Sequence, residues 1–155
     1  MPPTLASARE AFIRQMYRDN AAAERPRMLA VLDSVIAWSN AKAGQVRFLP
    51  DENTKGCIRF EDATSKSVLL MVSPRRENAP LLQLLPGSAR LLTEEERAEV
   101  VTRLDALTRE SNPFGRMHIN FGALKNDTGR AAVFALLDEL LEKVQRPKRA
   151  TADVT

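Results

Sequence analysis

Cys57 and His118 are the two side chains in this sequence best suited to nucleophilic or acid–base chemistry, and each is the only one of its type in the chain. A catalytic thiolate needs a basic partner, and histidine is the side chain whose charge ordinarily changes near neutral pH. A Cys57–His118 dyad is therefore conceivable. No motif surrounds either residue, however, and the sequence favours a structural cysteine within a strand.

His118 lies in the segment 117–121, where apolar and polar residues alternate. Such alternation is typical of a strand with one buried face, and it places His118 and Asn120 together on the other face. These two residues and Arg116 form our candidate site for a small ligand, either an anion or an aromatic molecule. A surface histidine with an ordinary hydrogen bond is the simpler interpretation.

Metal-binding and phosphate-binding motifs are missing from the sequence. With one histidine and one cysteine, only carboxylates could hold a metal ion, and the densest acidic run, residues 94–99, is typical of a helix N-terminus. The glycines follow neither the dinucleotide-binding nor the P-loop spacing. An anion could bind in the loop 122–129, at the start of the last helix near Lys125 and Arg130. We predict no cofactor and no metal ion.

The most suggestive feature for function is a set of arginines in the middle of the chain. Arg47 and Arg59 each stand between two apolar residues, so alternation places both guanidinium groups opposite their apolar neighbours. A positive, open sheet face could bind a phosphate backbone. Phe48 and Phe60 point inward by the same alternation, which removes them as stacking platforms for bases. The candidate residues for binding an anion or nucleic acid are Arg47, Arg59, Arg75, Arg76 and Arg90.

Two N-terminal helices are predicted by the spacing of apolar residues. Residues 4–19 carry them at steps of three and four, on a single face. Residues 25–39 carry them around much more than one face. We therefore expect the second helix either to be largely buried in the chain or to bury one side against a second copy in a homodimer.

Strands are predicted at about 45–50, 57–60, 67–73 and 81–85, with polar turns between them. Connections this short imply antiparallel neighbours, because a parallel pair needs a crossover of about a dozen residues or more. The run 67–73 is almost continuously apolar, which favours a central strand covered on both faces.

The last third of the chain is predicted to form a helix, a strand and a closing helix. Thr93 and Glu96 have capping-box spacing, and this helix should end near Glu110. A strand at 117–121 and a helix at about 129–145 follow, the helix capped by Asp127 or Thr128. The fold class is α+β, with one mainly antiparallel sheet of about five strands, helices packed on one face, and two N-terminal helices.

The size and composition predict one globular domain. The chain has 155 residues, of which 44% are hydrophobic and 28% charged. Residues 1–145 are expected to form it, with a helical element at 1–40 and the sheet with two helices at 45–145. Residues 146–155 are expected to be a disordered basic tail. No apolar run reaches the roughly 18–20 residues needed to cross a bilayer, and no signal peptide is apparent, so we expect a cytoplasmic protein without a membrane partner.

The order of motifs resembles a known kind of domain. Ile58-Arg59-Phe60 precedes the apolar strand 68–72, then come the leucine-rich strand 81–85, the segment 118–121 and a closing helix. In this layout the stretch from about 56 to 144 resembles small uncharacterised bacterial α+β domains of the YdhG/YjbR kind. The resemblance implies a small sheet that binds a ligand, a protein or nucleic acid rather than an enzyme. It leaves the two N-terminal helices unexplained.

Three functional hypotheses follow. The leading one is a non-enzymatic binding domain whose arginine-bearing sheet face meets an acidic partner such as nucleic acid, with self-association through helix 25–39. The second is a small enzyme or an enzyme accessory subunit with a pocket between sheet and helices, near Arg116, His118 and Asn120. The third is an immunity or antitoxin type of protein, a class that often shows no motif.

Overall fold

A computed structural model of the chain describes residues 4–19, 25–50, 56–74, 81–107, 117–124 and 126–146. Within these ranges two short 3-10 helices, Ala89–Leu91 and Phe121–Leu124, accompany nine α-helices and strands. In chain order these are α1 (Leu5–Asp19), α2 (Arg25–Ala41), β1 (Val46–Leu49), β2 (Ile58–Asp62), β3 (Val68–Ser73), β4 (Leu81–Leu84), α3 (Glu94–Leu107), β5 (His118–Asn120) and α4 (Asp127–Gln145). The α+β class predicted from the sequence is confirmed.

The five strands form a single sheet in the order β1-β2-β3-β4-β5, and every neighbouring pair is antiparallel. The first four strands follow one another as a meander. α3 lies between β4 and β5 in the sequence, yet β5 still pairs directly with β4. The helices pack on one face of this sheet, as predicted.

Burial along β2 shows how the sheet is divided into two faces. Ile58, Phe60 and Asp62 are buried, whereas Arg59 and Glu61 between them are half-buried. The buried strand residues join the helices in one core. Within that core the ring of Phe12 on α1 lies 6.0 Å from the ring of Phe121, just after β5. Burying one such side chain contributes about 1.5–3 kcal/mol to stability.

In the described part of the chain, helices pack against β3 on one face only, which corrects the interpretation of its apolar run. A β-bulge shifts the register between β2 and β3, since Phe60 pairs with Leu70 but Glu61 pairs with Val68. The extra residue, Leu69, is fully buried beside Leu70. The bulge therefore puts two consecutive leucines into the core. A run that suggested burial on both faces thus belongs to a sheet that packs against helices on one face.

α2 buries its apolar side chains within the chain. Met28, Val31, Leu32, Val35 and Trp38 are all buried. The indole of Trp38 donates a hydrogen bond to the Asp138 carboxylate of α4 at 2.9 Å, and Lys42 forms an ion pair with the same carboxylate. Intramolecular packing thus accounts for the apolar residues that suggested a dimer, and a homodimer through this helix stays a prediction.

α3 begins with the predicted capping box. The Thr93 amide donates to the Glu96 carboxylate at 2.8 Å, and the Glu96 amide donates to the Thr93 hydroxyl at 3.1 Å. Glu96 also accepts two hydrogen bonds from Arg146, both at 2.7 Å. Arg146, which we expected to open the disordered tail, is thereby tied to α3, and residues 147–155 lie outside the described residues.

α4 begins two residues earlier than predicted, and its cap is a different residue. The side chain of Asn126 accepts a hydrogen bond from the Gly129 amide at 2.6 Å, so Asn126 rather than Asp127 or Thr128 is the N-cap. The predicted end of α3 near Glu110 lies outside the described residues. No helix in the described part of the chain is long and apolar enough to span a bilayer.

A buried carboxylate joins the end of α4 to the sheet. Asp62 has 0% exposure and accepts hydrogen bonds from the Ser65 amide at 2.7 Å and from the Gln145 side chain at 2.6 Å. Burial by itself would raise the pKa of Asp62, but the hydrogen bonds from Ser65 and Gln145 outweigh it and hold the pKa below its usual value.

Replacing Asp62 tests this connection. The Asp62→Ala variant should lose about 1–3 kcal/mol of unfolding free energy, because Gln145 and the Ser65 amide would lose their buried acceptor. Urea denaturation of Asp62→Ala, Gln145→Ala and the double variant gives the coupling energy. We expect the two single losses to sum to more than the double loss. Strictly additive losses would contradict a direct bond between the two side chains.

The ion pair between Glu96 and Arg146 makes the free energy of unfolding depend on pH. Hydrogen bonds from Arg146 and then Thr93 lower the pKa of Glu96 from its ordinary value of 4.5 to about 2. Because the folded state binds the proton more weakly, this contribution is complete above about pH 4.5 and is lost as pH falls towards 2.

The Glu96→Gln variant should keep the capping box, since glutamine can serve at that position, while losing the ion pair with Arg146. We expect it to be less stable than the unmodified protein by about 1 kcal/mol or less at neutral pH, and the gap to shrink near pH 2. Urea denaturation at several pH values measures this gap. Glu95→Gln, a change at an exposed glutamate in the same turn, is the matched control, and a gap that does not vary with pH would refute the assignment.

Candidate functional site

The register of the sheet places five side chains in a single row that crosses every strand. Leu49 pairs with Arg59, Arg59 with Met71, Met71 with Gln83, and Gln83 with His118. Directly opposed residues on antiparallel strands point to the same face. The row from Leu49 to His118 therefore lies on one face of the sheet.

That face is the one turned away from the helices. Phe60, Val72, Leu82 and Ile119 alternate with the members of the row, and all four are buried in the core. The residues of the row are only half-buried. We call this surface the open face and define it by ten residues: Arg47, Leu49, Cys57, Arg59, Glu61, Met71, Ser73, Leu81, Gln83 and His118.

The charges of the open face are concentrated on β1 and β2. Arg47 is directly opposite Glu61 and forms a salt bridge with it at 2.7 Å, with 52% of the arginine side chain exposed. An exposed pair of this kind contributes about 0–1 kcal/mol. Glu61 thus pairs with Arg47, and Arg59 is the second basic side chain of these two strands on the face.

The five candidate arginines are only partly brought together. Arg47 and Arg59 share the open face on adjacent strands, as alternation predicted. Arg90 is exposed on the 3-10 helix that follows β4, outside the two strands that carry Arg47 and Arg59. Arg75 and Arg76 lie outside the described residues. The anion-binding hypothesis therefore depends on Arg47 and Arg59 within the described structure.

His118 does not lie where the pocket hypothesis needs it. Ile119 is 1% exposed and pairs with the fully buried Leu82, so it faces the helices. His118 pairs with Gln83 and points to the opposite side of the sheet. A pocket between sheet and helices therefore cannot use this imidazole. Arg116 and the side chain of Asn120 lie outside the described residues.

Cys57 and His118 cannot form a dyad. The thiol of Cys57 contacts the Ser73 hydroxyl, with the sulfur and oxygen atoms 3.5 Å apart. Cys57 directly precedes β2 in the sequence, so it lies three strand spacings from His118 on β5. At roughly 4.8 Å per spacing the two residues are at least about 14 Å apart. That separation is far beyond hydrogen-bond reach.

The other sites suggested by the sequence are occupied by structural contacts. Glu96 of the acidic run 94–99 is held by Thr93 and Arg146. At the start of α4, the Gly129 amide already donates to Asn126. Within the described ranges, no three His, Cys, Asp or Glu side chains come close enough together to hold a metal ion. Lys125 lies outside those ranges.

Two features of the open face could not be found by reasoning from the sequence. Met71 and Gln83 lie between Arg59 and His118 only because the bulge in β3 and the pairing of β4 with β5 fix the register. The Arg47–Glu61 pair depends on the register of β1 against β2. The alternation of Glu61 with Phe60 did offer a signal that this carboxylate shares a face with the arginines.

Comparisons with protein-family models, with curated proteins and with solved structures find no match to this chain. The resemblance to domains of the YdhG/YjbR kind therefore stays a prediction.

Proposed function

We propose that this protein is a non-enzymatic binding domain that recognises nucleic acid, an acidic partner, through the open face of its sheet. The observation that supports this proposal is the cross-strand row that carries Arg59 and His118 on the face opposite the helices. Guanidinium groups suit phosphate because their planar donors match its oxygens.

The chemistry of the open face also favours binding over catalysis. Leu49, Met71 and Leu81 provide apolar contact, while Ser73 and Gln83 provide hydrogen-bonding groups. Such a mixture suits recognition across a broad surface. The separation of Cys57 from His118 removes the nucleophilic arrangement that the sequence suggested.

The affinity should come mainly from charge. The aromatic rings nearest the arginines, Phe48 and Phe60, pack edge to face with their centroids 6.4 Å apart, and Phe60 is buried in the core. Stacking of bases on aromatic side chains, which contributes about 1–3 kcal/mol per base, is therefore not provided by these two rings. We expect dissociation constants in the range of about 1–100 μM, with strong dependence on salt.

Neutralising Arg59 or Arg47 tests the proposal directly. Arg59→Gln should weaken binding of a labelled oligonucleotide and reduce the slope of log affinity against log salt by about one. Arg47→Gln should have a smaller effect, because Glu61 already balances that charge. Fluorescence anisotropy titrations at several salt concentrations measure both quantities.

Arg27→Gln is the matched control, since Arg27 is exposed on α2 and the helices lie on the other side of the sheet. It should bind like the unmodified protein. The proposal fails if the unmodified protein does not bind single-stranded or duplex nucleic acid below about 100 μM at low salt. It also fails if Arg59→Gln and Arg27→Gln lose affinity equally.

Removing the negative charge of the open face should strengthen binding. In Glu61→Gln the face keeps both arginines and loses the carboxylate that pairs with Arg47. We expect the affinity for nucleic acid to rise about three- to fivefold at low salt, since one further positive charge becomes available to phosphate. The same anisotropy titration provides the measurement, and unchanged or weaker binding by this variant would contradict the predicted location of the interface.

A further inference from the structure

We draw no further inference here: the strongest candidate, the acidic first turn of α3 where Glu96 holds Arg146 at the start of the basic C-terminal segment, carries nothing, because that segment continues outside the described residues and nothing in the structure shows what covers Glu94 and Glu95.

Discussion

Packing of α1, α2 and α4 against one side of the sheet buries Ile58, Phe60 and Val72, and the pleat then sends the side chains between them to the other side. Because side chains alternate with a period of two, burial of one face decides the composition of the opposite face. Arg59 and His118 share a surface for this reason. A shift of one residue in either strand would bury a charged or polar group at a cost of several kcal/mol.

The ends of α4 are held by contacts that reinforce this one-sided arrangement. Asn126 caps its first turn, while Gln145 and Arg146 bind Asp62 and Glu96 at its other end. The Trp38–Asp138 hydrogen bond joins its middle to α2. These bonds hold the helices against the face of the sheet that carries the core. The side chains of the open face then come from the strands, whose positions are determined by that core.

The mixed chemistry of the open face explains why no single sequence motif indicates a function. Two of its basic side chains, Arg59 and His118, lie at separate points of one row, and the uncharged Met71 and Gln83 lie between them. Broad, weak and salt-dependent recognition suits such a surface better than catalysis, which needs groups held within hydrogen-bond distance of one reacting atom. The Arg47–Glu61 pair further limits the net positive charge.

Local sequence patterns predict most of the fold because they depend on neighbours along the chain. The capping box of Thr93 and Glu96, the strands and the inward direction of Phe60 all follow from spacing alone. The bulge at Leu69 and the pairing of β5 with β4 depend on long-range contacts and could not be predicted. The burial of Asp62 could have been predicted, since two-residue alternation puts it on the same face as Ile58 and Phe60, but its polar character favoured a turn.

The most direct test of the one-sided sheet measures the exposure of its methionines. Met71 belongs to the open face, whereas Met16 and Met28 are 0% and 3% exposed in the core. NMR of methyl-labelled methionine, with a soluble paramagnetic agent and Met71→Leu for assignment, compares them in one sample. The Met71 methyl signal should broaden strongly while those of Met16 and Met28 persist. A Met71 signal as protected as that of Met16 would show that the face is covered and would contradict the proposed interface.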